Sequence, residues 1–171
     1  MHSSGEALDV EELVYLGVWA ENTLSAATYL NLYYDHPIAF RPLGKMFGQS
    51  GDGCGTCGIL SILGVLANGS YALCGIGETV SDLVFGHANK DLLEHVWTET
   101  PVLMELREGL PQRLEGICGD CLMKERCLGS CLAQNYYTSK SLWEPFWFCD
   151  EAHNRGLFPE TRIPPKKVNT A

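Results

Sequence analysis

The sequence predicts a small, irregular α+β domain that follows an N-terminal helix. Three observations lead to this fold class: an apolar segment with helical periodicity near the start, one strong β-hairpin turn signal, and eight cysteines spread among short turns. At 171 residues the chain has the length of one domain, or of one domain with an extension. Its composition, 46% hydrophobic and 19% charged residues, is ordinary for a globular protein with a real core.

The first predicted element is a long helix. Asp9 and Glu12 form a capping-box pattern, with Asp9 as the N-cap. Apolar residues then recur close to helical spacing, at Val10, Leu13, Val14, Leu16, Val18, Leu24, Ala27, Leu30 and Tyr34. Pro37 should end the helix just before it, because the residue preceding a proline is pushed out of the α region. A break at Gly17 or at residues 21–23 would divide the helix in two.

A short β-hairpin is the next predicted element. An apolar stretch over residues 59–67 leads to Asn68-Gly69, the strongest two-residue hairpin turn signal, and the chain returns through residues 70–73. This hairpin should bring Cys74 back beside Cys57.

Short elements are predicted for the rest of the chain. A brief strand is expected at residues 83–85, followed by a helix that Asn89 caps. A second helix should start at Thr100-Pro101, an N-cap followed by an N1 proline. A further helix is expected over residues 132–139, and the proline-containing tail after Phe158 should be extended.

The eight cysteines form one ordered pattern. They lie at Cys54-x2-Cys57-x16-Cys74, at Cys118-x2-Cys121-x5-Cys127-x3-Cys131, and at Cys149 after seventeen more residues. Two sets of four thiolates would ligate two metal centres with none left over. The first pair lies in a glycine-rich stretch, Arg41 to Gly58, so we expect backbone there that wraps closely around something rather than a plain linker.

Metal ligation explains these cysteines better than disulfides do. The N-terminal residues lack a secretory signal, so we expect a reducing, cytoplasmic compartment, and the chain is larger than the scaffolds that need disulfides. Zinc and [4Fe–4S] clusters both accept Cys-x2-Cys pairs, and local spacing separates these alternatives only weakly. The net charge of −9 argues against a nucleic-acid surface, and no apolar run is long enough to suggest a membrane span.

The order of the cysteines resembles the SPASM domain of radical SAM enzymes. That family's pattern is a cysteine, nine to fifteen residues, Gly-x4-Cys, a C-x2-C-x5-C-x3-C run and a terminal cysteine. Here Cys57, Gly69 and Cys74 precede the same run, and Cys149 follows it. Gly129-Ser130 also resembles the small-residue pair that usually precedes the last cysteine of the run. The match covers residues 53–150, about 60% of the chain.

The resemblance implies two auxiliary [4Fe–4S] clusters with crossed ligation. Its pairing assigns cluster I to Cys54, Cys57, Cys74 and Cys131, and cluster II to Cys118, Cys121, Cys127 and Cys149. The expected fold is then an irregular α+β domain in which a β-hairpin, short helices and cysteine-rich loops surround two metal clusters. Folding should be coupled to cluster loading.

The same resemblance sets the expected organisation. Residues 1–50 form a helical lead-in and linker, residues 51–156 the two-cluster domain, and residues 157–171 an extended tail. The C-x3-C-x2-C motif that holds the AdoMet-cleaving cluster does not occur in this sequence. We therefore expect a non-catalytic part of a larger maturase, excised or separately encoded, that has no catalytic residues of its own. AdoMet would act only through a missing radical SAM barrel, in cis or in trans, against which the leading helix would pack.

The expected function is electron transfer and the positioning of a precursor peptide in a maturase of ribosomal peptides. Anaerobic sulfatase maturases place an aspartate after the cysteine that corresponds to Cys74. This chain has Gly75 there, so peptide maturases fit better as the parent class. Two alternatives remain open: a two-zinc module that recognises a partner, and a free-standing ferredoxin-like electron carrier.

Overall fold

The computed structural model describes residues 7–30, 32, 34, 36–48 and 57–165. Its helices are α1 Val10–Trp19, α2 Ser25–Ala27, α3 Leu43–Phe47, α4 Leu93–Glu99, α5 Pro101–Gly109, α6 Gly116–Asp120, α7 Lys124–Cys127, α8 Leu132–Ser139 and α9 Trp147–Asn154. Its strands are β1 Gly64–Val65, β2 Ser70–Ala72 and β3 Val84–His87. The predicted α+β class is confirmed, because the described residues combine short helices with one small antiparallel sheet.

The sheet contains the predicted hairpin and the predicted third strand, in the order β1-β2-β3. Val65 pairs with Tyr71 across the hairpin, and Tyr71 pairs with Gly86 on the other side. Gly69, in the turn, has a φ of +87°, and a Cβ there would stand 2.7 Å from the ring of His87. Both the backbone conformation and the packed imidazole therefore require glycine in this turn.

The N-terminal helix begins as predicted but ends early. The Asp9–Glu12 capping box is present, and α1 continues through a π-helical turn, Ala20–Leu24, into α2. The helix was expected to reach Tyr34, but Thr28 is already extended and its hydroxyl accepts a hydrogen bond from the backbone N–H of Leu30 at 3.1 Å. Such local side-chain bonds compete with helical ones.

The two candidate break points of this helix behave differently. Gly17 does not break it: the imidazole of His36 lies against this glycine, and a Cβ would stand 2.7 Å from Nε2. The π-helical turn does cover residues 21–23. Its Glu21 accepts a hydrogen bond from the Tyr34 hydroxyl and pairs with Lys45, which ties the irregular turn to α3.

Three other sequence predictions are wrong in detail. Part of the glycine-rich stretch folds as α3, because Met46 is drawn into the core. Asn89 does not cap α4, whose N-cap residue is Leu92; Asn89 lies instead in a turn, where its N–H bonds to the His87 ring. The tail is not simply extended, since Glu160–Arg162 form a 3₁₀ turn.

One hydrophobic core joins the beginning, middle and end of the chain. Val10, Leu106 and Phe158 all belong to it, and Phe40 packs edge-to-face on Phe148 with ring centroids 5.0 Å apart. The predicted boundaries near residues 50 and 156 remain a prediction. Among the described residues, no helix has the length and apolar character that crossing a membrane requires.

Candidate metal centre

Seven of the eight cysteines lie in the described part of the chain, and all seven are free thiols there. They fall into two sets. We define the first thiol group as Cys57, Cys74 and Cys131, and the second thiol group as Cys118, Cys121, Cys127 and Cys149. Cys54, the remaining predicted ligand, lies outside the described residues.

Three short helices build the second thiol group. Cys118 lies in α6, Cys121 follows that helix, Cys127 ends α7, and Cys149 lies in α9, which packs on α6. Two backbone N–H groups already point at sulfur: Phe146 N–H donates to Cys118 Sγ at 3.4 Å, and the residue two positions after Cys121 donates to its Sγ at 3.3 Å. The local fold thus presents thiols together with N–H groups that stabilise negative charge on sulfur.

The thiols of this group strongly influence one another. The hydrogen bond between Cys118 and Cys149 lowers the pKa of Cys118 and raises that of Cys149. Burial raises the pKa of Cys121, and burial together with the neighbouring thiols raises that of Cys127 to about 11. Four thiolates cannot share this space unless a positive charge compensates them. A metal centre supplies such a charge.

All four cysteines line one small pocket, which has a cavity volume of about 10 Å³. Its wall is mostly apolar, with Leu114, Ile117, Met123 and Phe158 among the lining residues. These four apolar residues are themselves buried in the core. The donor set, four cysteines in an apolar wall, fits a thiolate-ligated cluster.

The first thiol group forms where the hairpin meets α8. Cys74 follows β2, and the 3₁₀ turn after it, Gly75–Thr79, packs on α8, which begins directly after Cys131. A Cβ on Gly64 would stand 2.9 Å from the backbone of Cys74, so a glycine in β1 permits this close approach. Burial raises the pKa of Cys57, and the neighbouring Cys131 and Cys74 thiols raise it further.

A tight turn separates the last two cysteines of the run. Leu128, Gly129 and Ser130 all have positive φ, at 52°, 80° and 60°. The turn directs Cys127 into the second thiol group and Cys131 into the first. This arrangement places one thiol of the four-cysteine run with the hairpin cysteines, as the crossed pairing would require.

The described residues do not form a compact single-ion site. No three histidine, cysteine, aspartate or glutamate side chains in that part of the chain make a group that could hold one metal ion. The thiols of each group are neighbours, but they are not closed around a single point.

Two basic residues beside the second thiol group were missed by the sequence analysis. Lys124 lines the pocket and donates to the Gly119 carbonyl at 2.7 Å, and Arg162 comes from the tail; the positive charge of each acts on Cys121. Lys124 could have been noticed, because it lies inside the Cys121-x5-Cys127 spacer. Nothing in the sequence pattern indicates that Arg162 folds back to this place.

Comparison with known proteins found no match. No family model, no curated protein and no solved structure matches the chain. The interpretation of the site therefore depends on its own residues and their arrangement.

Proposed function

We propose that this chain is an auxiliary-cluster domain that binds two [4Fe–4S] clusters and serves electron transfer and peptide positioning in a radical SAM maturase of ribosomal peptides. The observation that carries the proposal is the division of the thiols. Cys131 lies with Cys57 and Cys74, although Cys127, only four residues earlier, lies with the second thiol group. A run that served a single centre would keep these two cysteines together.

Under this proposal the cysteines of each thiol group are the ligands. Cys54 would join the first thiol group as the fourth ligand of cluster I, and the second thiol group would hold cluster II. Bound clusters of this type supply one-electron transfer. The chain itself contributes buried apolar walls that exclude water and backbone N–H groups that donate to sulfur. With four thiolates for each cluster, no iron is left open for a substrate.

The proposed partner is a radical SAM barrel, in cis or in trans, and the proposed substrate is a precursor peptide. The N-terminal helix supports the proposal of a large partner, because it exposes large apolar side chains. Tyr15 is 70% exposed and Val18 is 53% exposed. Trp19 lies on the same helix and is also partly exposed. Large exposed apolar side chains grouped on one helix are typical of an interaction surface.

Metal analysis after anaerobic reconstitution tests the proposal. We expect about eight irons and about eight sulfides per chain, because two cubanes use all eight cysteines. One sample should be reconstituted with iron and sulfide and a parallel sample with zinc alone, because zinc and sulfide precipitate together. Cys149→Ala is the matched variant, and it should lose about half of the iron. A content near two zincs per chain, with little sulfide, would favour the two-zinc module instead.

A further inference from the structure

Arg162 is a buried cation for which the described residues supply no buried anion. Its residue is only 7% exposed. One terminal N–H group donates to the Thr161 hydroxyl at 2.9 Å, and the other donates to the Arg41 carbonyl at 3.1 Å. Its Nε–H finds no acceptor, and no carboxylate pairs with the guanidinium, among the residues that the structure describes. An uncompensated charge in a protein interior is costly, so a counter-charge is expected nearby.

The second thiol group is the place where that counter-charge would arise. The backbone N–H of Leu122, the residue after Cys121, donates to the Arg162 carbonyl at 2.8 Å, which fixes the tail against the thiol loop. Phe158, from the same tail segment as Arg162, lines the pocket of the second thiol group, and Lys124 lines it as well.

We propose that Arg162 is the internal counter-charge of cluster II, and that it makes this cluster easier to reduce. The inference depends on the proposed function, because it assumes that the second thiol group holds an iron–sulfur cluster. Four thiolates outweigh the positive charge of an oxidised cubane core, so the ligated group is net negative. Adding one electron increases that negative charge, and a fixed cation in a water-poor setting stabilises the reduced form more than the oxidised form.

Lys124 and Arg162 differ in their exposure to water. Lys124 is only partly buried, so water screens its charge, whereas Arg162 is buried. Arg162 should therefore have a larger effect than Lys124 on the reduction potential of cluster II. The proposal makes the C-terminal segment part of the cluster environment rather than an appendage to it.

The test is a redox titration, followed by electron paramagnetic resonance, of the full chain reconstituted anaerobically with iron and sulfide. In Arg162→Met the ratio of reduced to oxidised cluster II at a fixed potential should fall about tenfold, which is about 59 mV for a one-electron couple. Arg162→Lys keeps the charge and should stay close to the parent chain. Arg155→Met is the matched control, because Arg155 is an exposed arginine that pairs with Asp9 and Glu151.

Each outcome decides the proposal. A fully loaded Arg162→Met chain with an unchanged cluster II potential overturns it. If Arg162→Met fails to load cluster II while Arg162→Lys loads it, the charge is required and the proposal stands. If both variants fail alike, Arg162 acts only through packing and the proposal is wrong. Zinc in place of iron in the parent chain would instead overturn the proposed function, a result that iron and sulfide analysis separates from the others.

Discussion

Leu128, Gly129 and Ser130 are three consecutive residues with left-handed backbone between Cys127 and Cys131. An L-residue with a side chain pays roughly 1–2 kcal/mol for this conformation, so the chain carries strain at Leu128 and Ser130. The buried amide of Asn135 donates to the Gly129 carbonyl at 3.4 Å and to the Glu144 carbonyl, and so holds the turn in place. The strain is located where the four-cysteine run divides between the two thiol groups.

Gly129→Ala tests the importance of this turn. The substitution should lower the free energy of unfolding by at least about 1–2 kcal/mol, because the new residue keeps a positive φ. A Cβ would also stand 2.9 Å from Leu132 Cδ2 and 3.0 Å from Leu114 Cδ2. Ser130→Gly is the control: it relieves the same strain and should be neutral or stabilising. Denaturant unfolding of both variants gives the comparison, and an alanine variant as stable as the parent would show that the turn is not constrained.

At the scale of elements, local signals predicted the structure well. Asn68-Gly69 specifies its hairpin through local turn geometry, in which the Asn68 side chain accepts a bond from the Ser70 N–H. Asp9 starts α1 through a bond that spans three residues. Thr100-Pro101 similarly starts α5, although the threonine side chain makes no cap bond. Such features depend only on neighbours in sequence, so the sequence is sufficient to find them.

Elements that depend on distant contacts were missed. The helix α3 forms in a glycine-rich stretch because Met46 is buried against the rest of the core. The early end of α2 is a different case, because the Thr28 bond beside it is local and competes with the helical bonds that the periodicity favours. The cysteines of the site were found because their spacing is regular. The place of Arg162 beside Cys121 was not found, because it depends on how the tail folds back.

At the scale of the whole molecule, one core holds the lead-in, the cysteine-rich segments and part of the tail. Val10 and Phe158, near opposite ends of the chain, both lie in it, and Asp9 pairs with Arg155 at the surface. The two thiol groups therefore lie on a shared scaffold. The exposed apolar side chains of α1 are the part of the described surface that we propose for a partner.

The chain alone should not cleave AdoMet. It has no C-x3-C-x2-C motif, and the proposed ligation leaves no iron open to the amino and carboxylate groups of AdoMet. With AdoMet and a strong reductant, the reconstituted chain should therefore form 5′-deoxyadenosine only at the background rate. The positive control is a radical SAM enzyme that contains the motif, assayed under the same conditions. Steady 5′-deoxyadenosine formation by this chain would reveal an unligated iron.

The most direct measurement compares Cys131→Ala with Cys127→Ala, four residues apart in the same run. Both variants should be reconstituted anaerobically, and their iron content and the electron paramagnetic resonance of their reduced clusters should be measured. Cys131 lies with Cys57, and Cys127 lies with Cys118. The account therefore predicts that Cys131→Ala damages cluster I, that Cys127→Ala damages cluster II, and that each variant keeps the other signal. Loss of the same signal in both variants would contradict the division into two crossed centres.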